Sequence, residues 1–219
     1  MSSIKLIPAS GGGSVSLAPP NSTSGSDVTI TLPSETKTLA ATDHTHSGGV
    51  LEQFFYPCAG GTVTTSAGDI TFENVTGVQN GTTSHVDLTG STVAYTPPAG
   101  TKTVVYKFSF LHSKASTSSL SIGYFKFYID SDEVTKAYIC HQAEDLGGMI
   151  TFEWPITISN SADTTIGQVN GWSSSKTLKL TYREHASTQP TKCHATYFTE
   201  QTSNSTFVMP RIGITALSL

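Results

Sequence analysis

The chain has little charge: 12 Lys plus Arg and 16 Asp plus Glu among 219 residues, 13% in all, for a net charge of -4. That is about half the usual ~25%. No run of basic residues appears, and phosphate recognition needs a concentrated Lys/Arg face, so nucleic acid is excluded as a partner. No segment approaches the roughly 18 consecutive apolar residues of a membrane span, and Met1 to Lys5 lacks the charged and apolar regions of a signal peptide. The expectation is a protein made soluble in the cytosol, without membrane insertion. Cysteine is scarce too. Cys58, Cys140 and Cys193 are an odd number at wide spacing, which argues against a disulfide framework or a four-cysteine zinc site and predicts buried free thiols.

Aromatic residues are missing altogether from the first 51 positions. A segment without them cannot build its own core. What it has instead is Pro8-Ala9-Ser10-Gly11-Gly12-Gly13-Ser14, followed by two short alternations, Val15-Ser16-Leu17-Ala18 and Val28-Thr29-Ile30-Thr31-Leu32. Period two marks strands with one buried face. The economical cover for that face is the same strand from neighbouring copies, so residues 1–50 are expected to be an oligomeric, threefold arm. A disordered tail is the alternative.

Residues 51–219 are of another kind. Aromatics begin at Phe54-Phe55-Tyr56 and continue to the C-terminus. Ser and Thr are abundant in the whole chain, 29 and 34 residues, with 19 Gly and 10 Pro, a composition of strands and turns rather than long helices. Strands are predicted at 103–112, 123–130, 149–158, 177–184, 194–199 and 207–217. Tyr106, Phe108 and Phe110 alternate with Val105, Lys107 and Ser109, and Phe125, Phe127 and Ile129 with Tyr124, Lys126 and Tyr128. Turn chemistry at Pro97-Pro98-Ala99-Gly100, Asp130-Ser131-Asp132-Glu133 and Leu146-Gly147-Gly148 separates such runs. The fold class expected is all-β, an extended β arm followed by a jelly-roll β-sandwich.

Ser3-Ile4-Lys5-Leu6, Gly11 to Pro20 and Asp27 to Pro33 resemble the N-terminal segment of fibre proteins of tailed bacteriophages, commonest in phages of marine cyanobacteria. Tyr95 to Thr101, Val105 to Phe108 and Ser175 to Leu180 are similar to the heads that follow that arm. The resemblance implies a homotrimeric virion structural protein with a head of the complement C1q and tumour-necrosis-factor type. It would be made in the host cytoplasm, attached through its arm to other virion proteins of tail or capsid, and would display the head outward for attachment to a host-surface glycan or protein. A C1q-like carbohydrate-binding module outside any virion, or a jelly-roll enzyme, are the alternatives.

Asp43-His44-Thr45-His46-Ser47-Gly48-Gly49 is the sharpest local signal. Histidines at i and i+2 of an extended chain point to one side, and three copies bring six imidazoles. Such a set suits an octahedral first-row transition-metal ion on the threefold axis, and pairs of this kind recur in trimeric phage fibres. A polar hinge at Gly48-Gly49 is the plainer reading. No cofactor is required otherwise. Asp130, Asp132 and Glu133 lack EF-hand spacing and read as a hairpin turn. Neighbours in a strand face opposite ways, so Cys140-His141 and Cys193-His194 are expected as core cysteines beside exposed histidines. Trp154 and Trp172 can stack on sugar rings where exposed, though strand aromatics are more often core. No G-x-S-x-G or comparable motif marks a catalytic set, so no catalytic residue is assigned and no enzymatic activity is expected.

Overall fold

The computed structural model describes residues 4–6, 15–17, 49–116, 121–143, 147–196 and 206–218. The chain divides into two compact units, Met1–His44 and Thr45–Leu219. In the first, β1 (Ile4–Leu6) and β2 (Val15–Leu17) pair antiparallel, with Ile4 opposite Leu17 and Leu6 opposite Val15. The alternation at 15–18 is therefore a strand whose partner lies in the same chain. The second alternation, at 28–32, falls outside the described residues, as do His44 and His46.

The second unit carries β3 (Val50–Pro57), β4 (Thr62–Thr65), β5 (Gly68–Thr71), β6 (Gln79–Asn80), β7 (Val86–Asp87) and β8 (Val93–Tyr95). Then come β9 (Thr103–Lys114), β10 (Ile122–Ile129), β11 (Asp132–Glu133), a single 3-10 turn (Thr135–Ala137) and β12 (Ile139–Gln142). The last are β13 (Gly148–Ser159), β14 (Gln168–Asn170), β15 (Lys176–Glu184), β16 (Thr191–Cys193) and β17 (Arg211–Leu217).

Two sheets form. In the seven-stranded sheet, β13 flanks one edge of β9 and carries β14 in parallel. The other edge of β9 is divided: Thr103 to Ser109 pair with β17, which carries β3, and His112 to Lys114 with β16, which carries β6. In the six-stranded sheet β10 and β15 pair at the centre, with β11 and β12 beyond β10 and β7 and β8 beyond β15. Successive long strands change sheets, β9 to β10, β12 to β13, β14 to β15, then back to β16, the crossing pattern of a jelly roll. The β-sandwich expected from period two is the fold observed.

The inward faces are those that alternation assigned. Tyr106, Phe108 and Phe110 on β9 meet Phe125, Phe127 and Ile129 on β10, with all six buried. Rings cross between the sheets, Tyr106 to Phe127 at 5.0 Å and Phe110 to Phe125 at 5.1 Å between centroids. Each such side chain contributes on the order of 1.5–3 kcal/mol by burial. Polar tips among them are satisfied: the Tyr106 hydroxyl donates to Ser91 O (2.6 Å) and the Trp172 indole to Tyr95 O (3.0 Å).

Two predicted strands are corrected. Of the 194–199 strand only 194–196 lie within the described residues, and they are not strand: the ladder is β16 at Thr191–Cys193, ending where His194 takes a left-handed φ of 67°. That conformation breaks a ladder. The last strand begins at Arg211 and not at 207, where Phe207 makes only an isolated bridge to Ala195.

Candidate functional site

The sandwich has two dissimilar ends. Its chain enters at Gly49, hydrogen-bonded to Ser218, beside the N-terminal end of β9. At the opposite end of β9 polar side chains are shut inside. His112 continues the inward alternation of Tyr106, Phe108 and Phe110 and is completely buried. Its Nδ1 lies 2.9 Å from that of His141 on β12, so one ring donates and the other accepts. Among the described residues its Nε2 has no hydrogen-bond partner. Burial, and secondarily the neighbouring His141, pushes His112 down to about 3, so the ring is neutral.

His194 is equally buried, its Nε2 3.0 Å from the Thr89 hydroxyl and its Nδ1 without a partner among the described residues. Burial pushes it down to about 4. The Tyr182 hydroxyl bonds Thr191, and Ser113 donates to Ala195 O. Neutral imidazoles sealed from solvent cannot exchange protons with a substrate arriving from outside. This cluster ties β9, β12, β15 and β16 together and closes the sandwich. Sequence reasoning passed over His112, although the continued period-two pattern already carried it into the core.

The cysteine and histidine pairs are corrected by the same geometry. Cys193 is buried as expected, but so is His194, because the left-handed turn at 194 abolishes the alternation that would have exposed it. Cys140 is exposed rather than in the core, on the edge strand β12. Cys58 is buried, and burial, with Glu73 adding to it, pushes its thiol up to about 12. Asp130 and Asp132 flank the β10–β11 hairpin, with Asp130 at φ 56° accepting from Lys176 Nζ (3.1 Å) and Thr177 N (2.8 Å). Glu133 accepts from Lys126 Nζ at 2.8 Å. These carboxylates serve as turn and ladder partners. Among the described residues no three His, Cys, Asp or Glu side chains gather closely enough to hold a metal ion. Trp172 is buried, whereas Trp154 is half-buried.

The outer face of the six-stranded sheet holds a second assembly. The Arg183 guanidinium sits 4.3 Å over the Tyr124 ring, Tyr138 stacks on that ring at 5.9 Å and 21°, and the Tyr124 hydroxyl is 2.8 Å from His185 Nδ1. Tyr and Arg are among the side chains enriched at recognition surfaces.

The fold and these surfaces define an all-β sandwich protein with an appended N-terminal unit. No protein-family model and no curated protein sequence matches the chain. Among solved structures it is similar to one of infectious bursal disease virus, Gt strain, at 11% identity and a TM-score of 0.31, over 96% of this chain and 48% of that one. It is also similar to the infectious bursal disease virus VP2 subviral particle at 11% identity and a TM-score of 0.26, over 96% of this chain and 49% of that one. The chain thus spans about half the length of these proteins.

Proposed function

We propose that the protein is a structural component of a phage virion, a homotrimeric tail or capsid fibre or decoration protein. Residues 1–50 attach it and the 51–219 head faces outward, with no enzymatic role. The observation that carries this reading is the union of a segment without aromatic residues, which forms a compact unit of its own, with a sandwich rich in buried rings. Such a segment gains stability mainly by burial against other copies, which ties folding to assembly. The closed polar end supports the non-enzymatic part, since His112 and His194 are buried and hold strands together. His44 and His46, six per trimer, are proposed to ligate a transition-metal ion on the threefold axis. Quantifying the protein in purified particles tests the function: it should be present at a copy number divisible by three, and its absence from particles overturns the proposal.

A further inference from the structure

Trp154 occupies an inward position of β13, opposite Tyr106, yet it is only half-buried because the facing sheet ends at β12 and leaves that edge of the sandwich open. The opening is a cavity of about 190 Å³ lined by Lys136, Tyr138, Ile139, Thr151, Glu153 and Trp154, with Phe152 at its base. We propose that this cavity binds one ring of a neutral pyranose saccharide.

The geometry of the indole supports a stacking role. Its N–H is already spent on Ile166 O at 3.1 Å, and Gly167, at φ 77°, lies so close that a Cβ there would stand 2.9 Å from Nε1. The ring is therefore held by one edge, and what remains for a ligand is its apolar face. Tyr138 is 45% exposed and is backed by its stack on Tyr124, so it too presents a fixed ring. Among the described residues neither the Tyr138 hydroxyl nor the Lys136 ammonium has a hydrogen-bond partner. The Glu153 carboxylate, 3.2 Å from Lys107 Nζ, retains free acceptor sites.

Aromatic faces beside donors and acceptors of both signs select the ligand. A wholly apolar molecule would desolvate Lys136 and Glu153 without replacing their water. A charged one would be attracted by one of the two and repelled by the other, so its charge gains little while its own desolvation costs more than that of a neutral ligand. A pyranose offers a C–H face to the rings and hydroxyls to the ammonium, carboxylate and phenol, and the cavity admits one such ring.

This inference deepens the attachment role proposed above and rests on that reading for its biological meaning, but its test does not involve particles. The full-length protein is applied to an array of neutral hexose and N-acetylhexosamine glycans, and its tryptophan fluorescence is titrated with galactose, glucose, mannose and N-acetylglucosamine. Retention of at least one neutral glycan is expected. Tyr138→Ala, at an exposed position, should lower binding about tenfold, the worth of one lost stacking contact, with an unchanged melting temperature. Trp154→Phe should remove the saccharide-dependent fluorescence change, leaving the buried Trp172 as a silent reference. No retained glycan, retention of acidic glycans alone, or binding indifferent to both substitutions would overturn the site. A protein found in particles that binds no glycan would refute this site and leave the virion role standing.

Discussion

His112 shows how one side chain couples stability to pH. Burial, with His141 adding to it, holds it at about 3 in the folded protein, and burial holds His194 at about 4; an open chain protonates near 6.5. As pH falls the unfolded chain takes up protons first, so the stability these neutral rings bring is complete above about pH 6.5. Below that it is lost progressively toward the folded values. The slope is about 1.4 kcal/mol per pH unit for each histidine. Urea unfolding at pH 7 and pH 5 should show this loss, and His112→Leu should flatten it by one proton; a stability independent of pH in this window would contradict it. Cysteine chemistry gives a second outcome at this scale. Cys58 and Cys193 are buried with thiols held protonated, and Cys140 is exposed. A thiol reagent should label one cysteine per native chain and three after unfolding.

Between elements, close approach fixes what a position tolerates. Gly123 of β10 lies under His112 of β9, where a Cβ would stand 2.5 Å from Nε2, and that ring is pinned by His141. Gly123→Ala should therefore cost about 1–3 kcal/mol by overpacking, read from the urea midpoint. Phe127→Ala, emptying a site shared with Tyr106 and Phe152 across the two sheets, should cost about 3–5 kcal/mol. The long strands around these residues were legible because alternation runs through all eight positions of β10 and the first half of β9, before Phe108 to Ser113 are all buried. The two- and three-residue strands β6, β7, β11 and β16 were not, since so short a run has no period and forms only where a longer neighbour supplies its ladder. The error at 194–196 has a specific cause: Cys193-His194-Ala195 reads as a continuing strand, and the enrichment of His at positive φ is too weak a preference to announce the left-handed turn that ends it. The Tyr138 and Trp154 cavity was half-legible. The aromatic residues are visible in the sequence, but Trp154 keeps alternation with the core and is uncovered only because the opposite sheet stops short of it.

For the whole molecule, the division of labour between arm and head leads to two further outcomes. Deleting residues 1–40 should leave a soluble head with the far-ultraviolet spectrum of the full protein's sandwich, because its core from Phe54 to Ala216 lies within the second unit, but the truncated protein should no longer enter particles. Normal incorporation would move the attachment to the head itself. Elemental analysis of the purified assembly should find about one transition metal per three chains, as expected for six imidazoles around one octahedral ion, and His44→Ala with His46→Ala should abolish it. Metal-free protein whose melting temperature ignores a chelator would leave that segment a polar hinge.

Assembly is the claim on which arm, metal and display all depend, and mass in solution tests it most directly. Light scattering or native mass spectrometry of the full-length protein at micromolar concentration should give three times the 23.1 kDa chain mass. A stable, folded monomer under the same conditions would contradict it.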